Sequence, residues 1–369
     1  MDRTKITRRE LLKGTAGLAV GAALGCHTAG GKAPTVVPPE IAAHPAAILN
    51  YRPTMGYRRL GRTGLIVSEI GLGGHYFYKG EKYTTQDYRN QVVSACLEAG
   101  INFFETTDVP GEAETTGTAL RGRRNGVYIT HDFAAMRQGE EWSRSETLQR
   151  GMDSIEMGLR WFHTDVIDIW RPSARQAGGT SMRLTEWVVE AGLLAKQQGK
   201  IRFLGISAHD APWLIRTLHE FDAFDLIVTP YNYCFRQAET ELFALVRERD
   251  LGVMAIKPFL GESLFRREIP QWNREQEDVT AHERGFQERT QETDPDRLAV
   301  NALRFVLSRP EISLVVPGMS TAEEVKNNVK AARCGALSEP ELQDLGARYE
   351  IAAAALPERL RWLEGWRLA

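Results

Sequence analysis

Short apolar runs recur along the chain and alternate with segments of helical periodicity. Most of these runs are rich in β-branched residues, as strands buried on both faces should be. The eight runs are SEIGLGG, INFFET, GVYITH, DVIDIW, IRFLGIS, DLIVTP, GVMAIK and ISLVVPG. Strands that are buried on both faces are typical of a parallel sheet covered by helices, so the pattern predicts a sheet of eight parallel strands.

Between these runs, apolar positions at helical spacing predict a series of helices. The predicted helices cover residues 85–99, 143–159, 212–220, 240–249, 296–308 and 321–332. Alternating strands and helices favour an α/β fold of the (β/α)8 TIM-barrel type, with an N-terminal β-hairpin and C-terminal helices. No GxGxxG motif follows the first strand, which argues against a doubly wound dinucleotide-binding sheet. We therefore expect the barrel over residues 55–335 and a C-terminal helical extension over 336–369.

The first 26 residues have the pattern of an export signal. Arg8 and Arg9 precede a weakly apolar, Gly- and Ala-rich run, which resembles a twin-arginine signal read by the twin-arginine export machinery. Cys26 follows AALG and resembles the acylated cysteine of a lipoprotein, but Ala23 and Leu24 stand in the reverse of the usual order. A lipid anchor at Cys26 and an unanchored exported form therefore both stay open. Either form predicts a periplasmic location, on a Pro/Ala-rich linker over residues 27–54.

Composition narrows the function classes. The 369 residues include 46 Lys and Arg against 48 Asp and Glu, and this balance gives no basic excess for nucleic-acid binding. The four cysteines have no metal-binding spacing, so Cys96, Cys234 and Cys334 are interpreted as small buried residues or free thiols. A small molecule is the expected ligand.

Polar side chains stand at or just beyond the ends of the predicted strands. They are His75, Glu105, Asp108, His131, Asp132, Arg171, His209, Asp210 and Lys257. The carboxyl ends of barrel strands meet at one rim, where the active sites of TIM barrels lie. Several histidines together with a glutamate at such a rim predict a functional pocket.

From residue 57 to 332 the chain resembles the aldo/keto reductases. The segments that carry the resemblance are RRLGRTGLIVSEIGLGG, GINFFETTDV, DVIDIW, GKIRFLGISAHD, YNYCFRQ, GVMAIKPF and VVPGMSTAEEVKNNVKAA. GISAH, YNY and IKPF are similar to a bacterial subset whose members often carry export signals. The resemblance implies a (β/α)8 barrel and NAD(P)H-dependent reduction of a carbonyl, here of a small or sugar-like substrate.

The resemblance also implies a catalytic set that this chain does not keep. In the family a tyrosine donates the proton, a lysine and an aspartate lower its pKa, and a histidine orients the carbonyl. The tyrosine position matches Pro110, the aspartate position Glu105 and the lysine position His131, while the histidine position falls near Ser173. Proline has no ionisable group, so Pro110 cannot supply the proton.

At the nicotinamide end, the chain keeps few of the cofactor contacts that the resemblance implies. Ser207 matches a carboxamide contact, but Ala208, Val228 and Ile256 replace the family's asparagine, glutamine and stacking aromatic residue. Lys257 is also placed among the cofactor contacts. Weak nicotinamide binding is therefore expected.

At the phosphate end, Gly318 and Ser320 precede a predicted helix whose N-terminus suits an anion, and Asn328 on that helix is a further cofactor contact. Ser320 with Glu323 is expected to form a capping box. Glu323 and Glu324 would repel an added phosphate, which favours NAD over NADP.

Three hypotheses follow. The favoured one is an oxidoreductase in which His131, supported by Glu105, does the proton work, and in which His209 and Arg171 complete the catalytic set. The second is a non-catalytic barrel that binds a small polar ligand. The third is a metal-dependent enzyme that uses His75, Glu105, His131 and His209 as ligands.

Overall fold

The computed structural model describes Ile41 and residues 44–75, 84–133, 142–174, 179–232, 236–239, 241–259, 294–335 and 337–344. The chain divides into two units, Met1–Gly31 and Lys32–Ala369, and the first unit lies outside the described residues. The predictions on the export signal, on Cys26 and on most of the C-terminal extension fall outside them too. Among the described residues, no helix combines the length and apolar character needed to span a membrane.

A β-hairpin precedes the barrel, as predicted. Strands β1 (Tyr57–Arg59) and β2 (Ile66–Ser68) pair antiparallel and are joined by the 3-10 turn Gly61–Thr63. Leu60, Leu65 and Val67 of the hairpin are buried in the apolar cluster that fills the barrel interior. The hairpin therefore closes one end of the barrel with apolar side chains.

The barrel wall is a parallel sheet whose strands follow one another in chain order. Its seven strands are β3 (Phe103–Thr106), β4 (Tyr128–Phe133), β5 (Ile167–Ala174), β6 (Ile201–Ala208), β7 (Leu226–Pro230), β8 (Gly252–Ile256) and β9 (Leu314–Val315). Residues 70–73 bridge the two edges of this sheet, because Ile70 pairs with Val315 and Leu72 pairs with Phe104. This segment acts as the first strand of eight, and the predicted (β/α)8 fold is confirmed.

Helices cover the outside of the wall. They are α1 (Gln86–Ala99), α2 (Pro110–Ala119), α3 (Arg144–Phe162), α4 (Met182–Gln197), α5 (Ala211–Glu220), α6 (Glu241–Arg249), α7 (Pro295–Leu307) and α8 (Ala322–Cys334). Six of them match the predicted helices to within about three residues. The sequence pattern missed α2 and α4.

Helix α2 begins with Pro110–Gly111, a pair that is typical of a turn, so the sequence pattern predicts no helix there. Pro110 occupies the first helical turn, where its missing N–H is not needed. A Cβ at Gly117 of the same helix would overlap the carbonyl oxygen of Trp161 in α3. The small residues that weaken the helical pattern thus let α2 pack tightly on its neighbour.

Strand alternation divides the core into two layers. The interior cluster of the barrel consists of Leu60, Leu65, Val67, Phe103, Tyr128, Ile169, Leu226, Val228, Met254, Leu314 and Val316. Neighbouring residues such as Phe104, Ile129 and Trp170 belong to the second cluster, between the strands and the helices. Because successive strand residues point to opposite faces, these two lists fix which polar side chains face the interior.

The cysteines differ from the sequence interpretation at one position. Cys96 is a buried free thiol, as expected, and burial raises the pKa of its thiol to about 12. Cys334, at the end of α8, is disulfide-bonded, and its partner lies outside the described residues. The interpretation of Cys334 as a free thiol is therefore wrong.

Asn102 joins the hairpin to the barrel, and its removal should destabilise the fold. Its side chain is fully buried, accepts from Ser68 N (2.7 Å) and donates to the carbonyls of Leu49 and Ile66 (both 3.0 Å). Asn102→Ala removes the partner of one buried and two partly buried backbone groups, which should cost about 3 kcal/mol of unfolding free energy. Urea denaturation measures this. The exposed Asn125→Ala is the control, and equal stability of the two variants would contradict the account.

Candidate active site

Three charged side chains face the barrel interior at its carboxyl-terminal rim. The side chains of Phe103 on β3, Tyr128 on β4 and Ile169 on β5 point into the barrel interior. Every second residue along each strand therefore points the same way. Glu105 lies two residues after Phe103, Asp132 four after Tyr128 and Arg171 two after Ile169, so all three have interior parity. Each is less than 9% exposed. The apolar interior therefore ends in a buried layer of ions.

Arg171 holds this layer together. One of its terminal nitrogens, Nη2, donates to Glu105 Oε1, and the other, Nη1, lies 3.5 Å from Asp132 Oδ1. Glu105 Oε2 in turn accepts from the backbone N–H of Gly74. Removing one member would leave a buried charge uncompensated, which is strongly destabilising. The cluster is a buried polar floor made of one guanidinium and two carboxyl groups.

Gly74 allows the rim to close over this floor. A Cβ at position 74 would lie 2.8 Å from Thr107 Cγ2 and 2.9 Å from Glu105 Oε2, closer than real Cβ contacts. Only glycine brings the backbone near enough to donate to Glu105. The GLGG sequence of the first strand thus has a local structural reason.

Beside the floor, His75 and Glu112 form a second pair. His75 Nδ1 lies 3.1 Å from Glu112 Oε2, and Thr107 Oγ1 donates to the same oxygen at 2.8 Å. The side chain of His75 is 44% exposed, whereas that of Glu112 is 1% exposed. A buried carboxylate therefore orients an imidazole that reaches the solvent side of the rim.

His131 does not lie where the sequence suggests. It alternates with Asp132 and faces α3, where its ring makes edge contacts with Trp161 and Phe162 at centroid distances of 5.7 and 6.5 Å. It is fully buried, and burial lowers its pKa to about 4. The expectation that His131 sits at the rim supported by Glu105 is wrong. Asp132, one residue later, takes the interior place.

The position of His131 also argues against the metal-site hypothesis. His131 faces the helices while Glu105 faces the interior, so the four proposed ligands do not converge. In the described part of the chain, no three His, Cys, Asp or Glu side chains are grouped to hold a metal ion. His209 is half-buried in the turn after β6, beside Asp210, which caps helix α5 by accepting from Trp213 N (3.2 Å).

Two buried serines lie on the interior face of β5 and β6, on the side of the floor that is away from His75 and Glu112. Ser207 on β6 pairs in register with Ser173 on β5, two residues beyond Arg171. Ser173 Oγ is buried and has no hydrogen-bond partner among the described residues. Val228 belongs to the interior apolar cluster, and Ile256 packs against that cluster. This edge of the rim offers hydroxyl groups beside an apolar surface.

Lys257 follows Ile256 in a left-handed backbone conformation, with φ of 55°. Its carbonyl oxygen accepts from Asn232 Nδ2 at 2.7 Å. Such a conformation is uncommon for a residue with a side chain and often marks a functional position. It turns the chain out of β8 at the rim.

The N-terminus of α8 differs from the predicted capping box. Thr321, not Ser320, is the N-cap, and it accepts from Glu324 N at 3.2 Å. Glu324 Oε2 accepts from Ser320 N at 2.7 Å, so the Ser320–Glu323 capping box is wrong by one residue. Ser320 Oγ is buried and has no partner among the described residues. Asn328 is buried on the same helix.

The sequence that forms this barrel and its rim matches a known protein family. The sequence model of the Aldo/keto reductase family matches residues 69–350, which is most of the chain. The chain belongs to the aldo/keto reductase family. The match includes every rim residue described above.

Individual relatives agree with this assignment. The uncharacterized oxidoreductase YqkF of Bacillus subtilis is 25% identical and covers 79% of this chain and 95% of its own length. L-galactose dehydrogenase of Arabidopsis thaliana is 24% identical, with coverage of 79% and 91%. Among solved structures, the holo form of aldo-keto reductase AKR11C1 from Bacillus halodurans is similar, with a TM-score of 0.66, 27% identity and coverage of 83% and 99%.

Sequence reasoning about this aldo/keto reductase missed Glu112, Thr107 and the role of Asp132. Glu112 is a first-turn acid of α2, and that helix was not predicted. Asp132 was named as a rim residue, but its interior parity could have been counted from Tyr128 in GVYITH. Thr107 carried no sequence signal beyond its place after Glu105.

The burial of His131 predicts acid sensitivity. Below its ordinary pKa of about 6.5, the unfolded chain binds a proton that the folded chain accepts only near pH 4. Stability should therefore fall by about 3 kcal/mol as the pH drops from about 6.5 to 4. In His131→Leu this contribution disappears, so the difference in unfolding free energy between variant and wild type should change across that window. Urea titrations at pH 7 and 4.5 test this, and parallel pH dependences would contradict it.

Proposed function

We propose that this aldo/keto reductase transfers hydride between a nicotinamide cofactor and the carbonyl of a small, polar or sugar-like substrate at the rim described above. The observation that carries the proposal is the buried Glu105–Arg171–Asp132 cluster, which gives the interior a polar floor at the end where barrel enzymes work. The similarity to L-galactose dehydrogenase supports a sugar-like carbonyl.

The rim residues fit a nicotinamide dinucleotide at both of its ends. Ser173 Oγ is a buried hydroxyl without a partner among the described residues, and Ser207 lies beside it in register, so these two can bind the carboxamide. Ser320 Oγ is a second such hydroxyl, beside Gly318 at the N-terminus of α8, where backbone N–H groups favour a phosphate. Lys257 and Asn328 complete the proposed binding set. The bound cofactor would supply the hydride.

Arg171 takes the place of the family's lysine in this proposal. The resemblance implies a lysine–aspartate pair, and this chain has Glu105 with a cation supplied from β5 instead. Arg171 cannot lose its proton near neutral pH, so it positions Glu105 and Asp132 and fixes the charge of the floor. The proton donor must then be another group, because Pro110 has none.

A non-catalytic barrel that binds a small polar ligand is the second candidate. Pro110 is the observation that favours it, because it removes the family's proton donor from the position that resembles it. The two candidates differ in turnover, which is measured below.

We also propose that the protein is exported to the periplasm. Arg8 and Arg9 support this, and the disulfide at Cys334 is a second, independent support because disulfides persist in oxidising compartments. Acylation of Cys26 would add a lipid anchor on the outer side of the membrane that the chain has crossed.

The acids at the start of α8 predict a preference for NADH. Each lost carboxamide contact should weaken either dinucleotide by about 1 kcal/mol, or about fivefold. Glu323 and Glu324 should weaken NADPH further, by at least about fivefold, through repulsion of the extra phosphate. Titration of the mature protein with each nucleotide measures both affinities.

The matched variant for this titration is Glu323→Gln/Glu324→Gln, which removes both charges and leaves an acceptor for Ser320 N. It should narrow the difference between the two nucleotides, while the exposed Glu339→Gln should not. Tighter binding of NADPH than of NADH by the native protein would refute the preference, and no binding of either would refute the proposed function.

The export proposal predicts the fate of a fusion. Residues 1–53 joined to a reporter that must fold before export should carry it across the inner membrane. Replacing Arg8 and Arg9 by lysine should retain the reporter in the cytoplasm, because the arginine pair is the recognition element. Unchanged export of the double variant, measured by fractionation, would exclude the twin-arginine route.

A further inference from the structure

The rim of this protein needs a proton donor that is not the family's tyrosine. We propose that His75 is the catalytic general acid and that Glu112 is its positioning residue. The proposal rests on the proposed reductase function and names the group that completes it. It comes from the pairing of the two side chains, His75 Nδ1 to Glu112 Oε2 at 3.1 Å.

His75 stands at the edge of the buried floor. It follows Gly74, whose N–H donates to Glu105, so the backbone just before the imidazole is anchored to the Glu105–Arg171 pair. On its other side, the carbonyl oxygen of His75 lies 2.7 Å from where a Cβ of Gly318 would be. The residue is therefore placed between the ion cluster and the proposed cofactor loop.

Glu112 is built to hold the imidazole. It lies in the first turn of α2, where the helix N-terminus favours a negative charge, and Thr107 donates to the oxygen that faces His75. It is also two residues after Pro110, the position that resembles the family's donor. The first turn of α2, where Pro110 takes the place of the family's tyrosine, thus also carries the carboxylate that positions His75.

The other charged groups at the floor are less suited to the role. Arg171 stays protonated and is engaged by two carboxylates. The carboxyl groups of Glu105 and Asp132 are buried against this guanidinium. His131 faces α3, and His209 follows β6, on the other side of the β3–β5 floor from Glu112. His75 combines a titratable ring, partial exposure and a fixed orientation.

The step balances with the reduced nicotinamide as the hydride donor. Hydride forms a bond to the carbonyl carbon while the C=O π electrons move to the oxygen. The protonated imidazole donates from Nε2 to that oxygen, because Nδ1–H is directed at Glu112. The nicotinamide ends oxidised, the carbonyl ends as an alcohol, and His75 ends neutral and takes a new proton from water.

The test uses NADH and 4-nitrobenzaldehyde with the mature chain. His75→Ala should lower kcat at least about 100-fold, while the Kd of NADH changes less than twofold. Added imidazole should restore turnover at least tenfold in this variant. The control is His219→Gln, which removes the histidine of an exposed His–Glu pair (His219 Nε2 to Glu241, 3.3 Å) and should leave turnover unchanged.

Glu112→Gln tests the positioning role, because the amide keeps an acceptor for Thr107 and removes only the charge. We expect kcat to fall about tenfold with little change in the KM for NADH, whereas mere destabilisation would lower the melting temperature without this split. Turnover that survives His75→Ala would overturn the proposal. So would NADH binding without aldehyde reduction by the native protein, which would favour the ligand-binding barrel. If NADH does not bind at all, the proposed function itself fails, and the inference falls with it.

Discussion

The structure of the rim depends on one buried ion cluster, in which Arg171 contacts both Glu105 and Asp132. Strand alternation forces all three side chains into the interior, above the apolar cluster sealed by the N-terminal hairpin. A charge in that place is tolerated only when it is paired. The cluster therefore constrains its surroundings: Gly74 must be small enough to donate to Glu105, and the neighbouring strands must keep their register.

The candidate catalytic residues are arranged around this cluster. Through Gly74 the floor positions His75. Through Thr107, which comes directly after the end of β3, the floor is joined to Glu112. Glu112, whose carboxylate lies against His75, belongs to the first turn of α2, the helix that begins at Pro110.

Much of the fold could be predicted from the sequence, because eight apolar runs and six amphipathic helices each carry a periodic signal. Helix α2 could not, since Pro110, Gly111 and Gly117 are residues whose role appears only when the helix packs on α3. At the site, Glu105 and Arg171 were found as strand-end charges. His131 was misplaced by one residue, because a strand-end residue can face either the interior or the helices, and only the count from Tyr128 decides which. Glu112 was missed with its helix.

A crystal structure of the mature protein with NADH would show whether this ion cluster and His75 form one nicotinamide-dependent site. We expect the nicotinamide ring above the Glu105–Arg171–Asp132 floor, between His75 and the Ser173–Ser207 pair, with a phosphate near Ser320 at the start of α8. A dinucleotide bound away from this rim, or a nicotinamide ring separated from His75 by the barrel wall, would contradict it.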